Sequence, residues 1–128
     1  PEHYGLSLIL GGAEGTLWDI AGMYASLGRT LNNYAEHPGK NKYFPNDIHP
    51  LVVQANHQDT KSALEASARI HASAIYQTFE ILTELYRPGE ESGWKLFTSA
   101  RKIAWKTGTS FGFRDGWAVG ITPRYVVG

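Results

Sequence analysis

Apolar positions Leu17, Ile20, Ala21, Tyr24, Leu27 and Leu31 recur at spacings of three and four, the period of one helical face. Thr16 stands where an N-cap belongs, with Asp19 three residues on as a variant capping box, so a helix is predicted from about Leu17 to about Leu31. A second helix is predicted behind a cap at Ser73, with Ile75, Phe79, Leu82, Leu85 and Tyr86 in period until Pro88-Gly89 stops it. Between them the texture is irregular. His37-Pro38-Gly39-Lys40-Asn41 and Phe44-Pro45-Asn46-Asp47 are turn material, Leu51-Val52-Val53 reads as a short strand, and residues 56–70 fit a helix or a loop equally well. The glycine-bounded run Gly5–Gly12 reads as a buried extended segment or a tight loop.

The last third changes period. Ile103–Thr109 alternates and is rich in β formers, and Trp117–Ile121 is a second strand beyond the loop Phe111–Gly116. Thr122-Pro123-Arg124 turns into a third. Strands joined this closely form an antiparallel meander. The predicted class is therefore α+β, an antiparallel β-sheet with helices packed on it.

Composition narrows the function classes. Across 128 residues, 12 basic and 12 acidic side chains cancel, so the basic surplus of a nucleic-acid binder is missing. Hydrophobic residues at 42% support a packed core, and charged residues at 19% exclude a solvated disordered chain. No apolar run is long enough to span a membrane, and the absence of cysteine removes disulfides and thiolate metal sites. The chain opens at Pro1 and stops on the strand-like Tyr125-Val126-Val127-Gly128, which predicts a piece cut from a longer polypeptide.

The string richest in chemistry is Lys106-Thr107-Gly108-Thr109-Ser110, on the first strand. A lysine in mid-strand is costly to bury unless it is paired. Gly108 removes a side chain where another molecule could approach the backbone, and the threonines offer hydroxyls. An edge strand adds N–H groups that bind a carbonyl oxygen or a peptide. The combination suits an anionic, peptide-like ligand. An ordinary edge strand with a solvated lysine explains these five residues equally well.

The wider segment Lys102–Gly120, with Tyr4–Gly15 and Met23-Tyr24-Ala25 before it and Ile121–Gly128 after it, resembles the penicillin-binding transpeptidases, and within them the bifunctional class A enzymes of the 1C group. The likeness covers both ends of the chain in order, while residues 33–70 match only loosely. It implies that residues 1–128 are the C-terminal portion of a serine transpeptidase domain with a β-lactamase/transpeptidase-like fold. Such enzymes combine a Ser-x-x-Lys, a Ser-x-Asn and a Lys-Thr-Gly. The third is Lys106-Thr107-Gly108. Two strings spell the first, Ser92-Gly93-Trp94-Lys95 and Ser99-Ala100-Arg101-Lys102, but both lie directly before the strand, whereas the family's serine opens a helix far upstream. No Ser-x-Asn occurs in the chain. The nucleophile is therefore expected in an upstream part of the same domain.

The resemblance implies a role for each residue. Lys106 is the catalytic cation, and Thr107, Gly108 and Thr109 bind substrate, with the Thr109 N–H as an oxyanion donor. The expected ligands are stem peptides ending in D-Ala-D-Ala and β-lactams, without metal or cofactor. It further implies a glycosyltransferase domain and an inner-membrane anchor elsewhere in the polypeptide, with this part on the periplasmic face and making no membrane contact. A D,D-carboxypeptidase, a β-lactamase relative and a non-catalytic β-lactam or muropeptide sensor remain as alternatives.

Other groups are weaker. His3, His37, His49, His57 and His71 are scattered, and His57 with Asp59 is more simply a surface loop than a metal site. Glu14, Glu90 and Glu91 read as solvated, and of Trp94, Trp105 and Trp117 at least two are expected in the core. Arg114-Asp115 reads as a structural tie across the loop into the second strand.

Overall fold

Thr16 starts the first helix as its composition demands: its hydroxyl accepts from the Asp19 N–H at 3.1 Å and donates to the Asp19 carboxylate at 2.6 Å. The computed structural model describes residues 5–8, 11–37, 39–40, 42–53, 63–84, 102–110, 112 and 114–128. Among them, in chain order, are α1 (Leu17–Glu36), α2 (Ala72–Thr83), β1 (Ala104–Thr109), β2 (Gly116–Ile121) and β3 (Val126–Val127). The strands form an antiparallel sheet in the order β1-β2-β3, the expected meander. None of the described helices is long and apolar enough to cross a membrane.

Register puts Ala104 opposite Ile121 and Lys106 opposite Val119. Ala104, Val119 and Ile121 are buried and share one face, on which α1 and α2 pack. Ile75 and Ala72 from α2 complete this small core. Gly28 permits the close approach of α1, since a Cβ there would stand 3.0 Å from Ile121 Cδ1.

α1 runs five residues beyond Leu31, where its apolar period ends. Polar contacts carry it on: Asn32 Nδ2 donates to the Pro123 carbonyl at 2.9 Å and Asn33 Nδ2 to Asp47 Oδ1 at 2.6 Å. The helix side away from the sheet is buried through small and polar residues, Gly22, Ser26 and Thr30. Ser26 Oγ lies 2.9 Å from the Gly22 carbonyl and 3.1 Å from that of His49, and accepts from Arg29 Nη2 at 2.9 Å and the His49 N–H at 3.3 Å. Arg29 Nε donates to the Asp47 carbonyl at 3.2 Å. Burial pulls the Arg29 guanidinium below its ordinary range, and the Asp47 charge acts against that pull. This network clamps residues 44–51 to α1.

Several expectations need correction. α2 is capped by His71 and not Ser73, and its first N–H donates to the Tyr43 hydroxyl at 3.2 Å, a cap supplied by a residue distant in sequence. Leu51-Val52-Val53 is not a strand; Leu51 covers Gly22, while Val52 and Val53 are exposed. Of the two alternatives open for residues 56–70, the described part, 63–70, takes the loop, irregular apart from a bridge between Glu65 and Tyr43. Gly5–Leu8 is one 3-10 turn, closed by Gly12 N–H to the Ser7 carbonyl at 2.7 Å. Residues 5–8, 11 and 12 are exposed, as a tight loop is and a buried segment is not; Ile9 and Leu10 lie outside the described residues. Leu85, Tyr86 and Pro88-Gly89, the loop residues Phe111 and Phe113, and residues 56–62 lie outside the described residues.

Replacing Ser26 by alanine leaves a half-buried guanidinium N–H and the His49 N–H short of an acceptor. We expect a loss of about 1–3 kcal/mol in urea unfolding. The exposed Thr78→Ala, which removes a hydroxyl bonded to the Ala74 carbonyl, should change stability by less than about 0.5 kcal/mol. Equal effects of the two would show that the clamp is not a buried network.

Candidate functional site on the outer edge of β1

Residues alternate across β1, so Lys106 and Gly108 share the helix-bearing face with Ala104, and Trp105, Thr107 and Thr109 lie on the other. Backbone groups alternate too, and one bond fixes their phase. The Ser110 N–H donates to the Asp115 carbonyl at 2.9 Å, making 110/115 a hydrogen-bonded pair in the same register. In an antiparallel ladder every second pair is of that kind. Ala104, Lys106 and Gly108 therefore turn their N–H and C=O groups toward β2. Trp105, Thr107 and Thr109 turn theirs to the outer edge, where no strand among the described residues pairs with β1.

Lys106 is exposed, beyond the cover of the helices. Its ammonium is not directed into open solvent: Nζ donates to the Thr107 carbonyl, a group on that outer edge. The cation and the Thr109 N–H consequently lie along one border of the sheet. Thr107 is half-buried, and Gly108 and Thr109 are exposed. A Cβ built at Gly108 meets nothing within 4 Å, so the described fold does not itself require glycine there. Among the described residues, the edge offers a cation and the outward amide of Thr109 to a group carrying negative charge.

Two grooves, of about 340 and 240 Å³, lie near the Ala104–Ile121 end of the sheet, under the Thr122–Tyr125 turn and between the helices. Neither is lined by Lys106, Thr107, Gly108 or Thr109. Lys102, the lysine of one rejected Ser-x-x-Lys, is paired with Glu84 at 3.6 Å, while Ser92, Lys95 and Ser99 lie outside the described residues.

The remaining candidates have ordinary surroundings. His37 Nδ1 lies 2.8 Å from the Asn33 carbonyl, and His49 Nδ1 2.8 Å from that of Pro50. His71 ends against the Tyr43 ring, and Glu14 is exposed. Trp105 and Trp117 are half-buried; His3, His57, Glu90, Glu91 and Trp94 lie outside the described residues. The tie across the β1–β2 loop exists, but the Asp115 backbone makes it with Ser110, and Arg114 is exposed. The sequence marks Ser110 only as part of the motif. Its position as the first residue past the predicted strand is the one signal by which a role in closing the loop could be found.

No family model and no solved structure gives a significant match to the chain. Among curated proteins, it is 33% identical over 123 residues to Penicillin-binding protein 1C of Escherichia coli strain K12. That alignment takes in 96% of this chain and 13% of the relative, so the chain spans about an eighth of the protein it matches. Nearly the whole chain, including the Lys106–Ser110 strand end, is thus related to one segment of a penicillin-binding protein of the 1C group.

Proposed function

We propose that this chain supplies the Lys-Thr-Gly strand of a serine D,D-transpeptidase with a β-lactamase/transpeptidase-like fold, which cross-links peptidoglycan stem peptides and is acylated by penicillins. The observation that carries this reading is the outward phase of Thr109 on the same border as the Lys106 ammonium. Similarity to a protein named for penicillin binding supports it.

A serine from an upstream part of the domain attacks the carbonyl of the penultimate D-alanine. The negative charge that develops on the carbonyl oxygen meets the Thr109 N–H, a donor worth about 3–4 kcal/mol at the transition state. Lys106 lends positive charge beside the serine, helps pass a proton to the departing amine of the terminal D-alanine, and attracts its carboxylate. Thr107 and Thr109 offer hydroxyls to that carboxylate. Their side chains leave the strand on the face opposite Lys106, so one ligand reaches both sets only by meeting the strand edge-on. The serine ester is then resolved by the amine of a second stem peptide. The site works on the periplasmic face of the inner membrane.

Lys106→Ala in the full-length protein should slow acylation by fluorescent penicillin by about 100- to 10,000-fold. The side chain is exposed, so stability should move by less than about 0.5 kcal/mol. A large melting loss with normal acylation would make Lys106 structural.

Gly108→Ala separates ligand from fold. With open space around it, alanine should leave stability unchanged or raise it by up to about 1 kcal/mol. Acylation should fall by at least about tenfold, because the methyl group stands where the acyl donor approaches. Unchanged acylation would remove the ligand from that edge.

Residues 1–128 alone should take up no covalent penicillin label, since the nucleophile is supplied from outside them. Labelling mapped to Ser92 or Ser99 would overturn the division of the site.

A further inference from the structure

The geometry points to Ser110 as a positioning residue for acyl transfer, through its hold on the Thr109 amide; this rests on the reading of that amide as an oxyanion donor. Thr109 faces Gly116 in a pair that exchanges no hydrogen bonds across the ladder. Its own N–H and C=O turn outward, and Gly116, exposed and without a side chain, gives it nothing to pack against. The aim of the Thr109 N–H is therefore set by the bonded pairs on either side. One is Gly108 with Trp117, within the sheet. The other is Ser110 with Asp115, at the point where the chain leaves the sheet.

That second pair is unusual. Ser110 N–H donates to the Asp115 carbonyl at 2.9 Å, as the ladder requires. In a regular ladder the return bond would reach the Ser110 carbonyl. Here the Asp115 N–H donates to Ser110 Oγ at 2.8 Å. The hydroxyl takes over the acceptor role at the strand's last rung, so the main chain can turn away directly after Thr109 while the rung stays closed. Alanine at 110 keeps one bond of the two and lets the end of β1 fray up to the Thr109 amide. Threonine keeps an oxygen at the same branch point and keeps both.

The test uses the full-length protein and fluorescent penicillin, with the noncovalent dissociation constant resolved from the acylation rate constant. Ser110→Ala should lower the acylation rate constant by about tenfold. Its dissociation constant should stay within about twofold of the original, a difference below about 0.5 kcal/mol. Ser110→Thr should restore the rate, and both variants should melt within about 2 °C of the original. The pH profile of acylation should keep its shape in both, because no titrating group has changed. Wild-type acylation in Ser110→Ala overturns the assignment. So does slow acylation in Ser110→Thr, or a loss in Ser110→Ala that merely follows a fall in melting temperature. Lys106→Ala run in parallel separates the two levels: if it acylates normally, the transpeptidase reading itself has failed, whereas a dead Lys106→Ala beside a normal Ser110→Ala removes the positioning role alone.

Discussion

Antiparallel pairing permits only two phases along β1, and everything proposed for this chain depends on which one it adopts. In one phase Thr109 would spend its N–H on β2 and the outer border would present Gly108. In the phase observed, 110 pairs with 115, and the N–H groups of residues 105, 107 and 109 face outward. A shift by one residue would also carry Ala104 off the helix-bearing face and bring Trp105 onto it. The buried trio Ala104, Val119 and Ile121 therefore does more than hold the sheet to its helices. By fixing which residues face the core, it also fixes that the Thr109 amide turns to the outer border.

The ammonium fits the same frame. A lysine on the helix-bearing face could have been covered, at high cost, or left to wave in solvent. Lys106 does neither, because its long stem clears the helices and folds back to a carbonyl on the border. A carbonyl is a modest partner for a full positive charge, and an anionic oxygen would compete for it readily.

Much of this was legible in the residues. The strands announced themselves through alternation and the turn at Thr122-Pro123-Arg124, and the cap at Thr16 placed the start of α1 to the residue. The misreadings have one cause: distant partners. α2 takes its terminal acceptor from Tyr43, and no local pattern contains that bond. The extension of α1 to Glu36 depends on Asn32 and Asn33 finding Pro123 and Asp47. Leu51-Val52-Val53 has strand composition, yet only Leu51 finds cover. For the site, the motif named the residues, but only the register could say that Thr109 turns outward and that Lys106 and the threonines leave the strand on opposite sides.

A search for greasy periodicity also passes over Gly22, Ser26 and Thr30, although Ser26 and Thr30 are the most deeply enclosed side chains described. Oily surfaces tolerate sliding, whereas hydrogen bonds are particular about direction and length. With Ser26 Oγ held against the His49 carbonyl and N–H, and Arg29 bonded to the Asp47 carbonyl, a small rotation of the long helix would break several bonds together. That rear anchorage acts as a keel: the strands resting on the opposite flank inherit a fixed height and tilt from it, and so does the border that carries the Lys106 ammonium and the Thr109 amide.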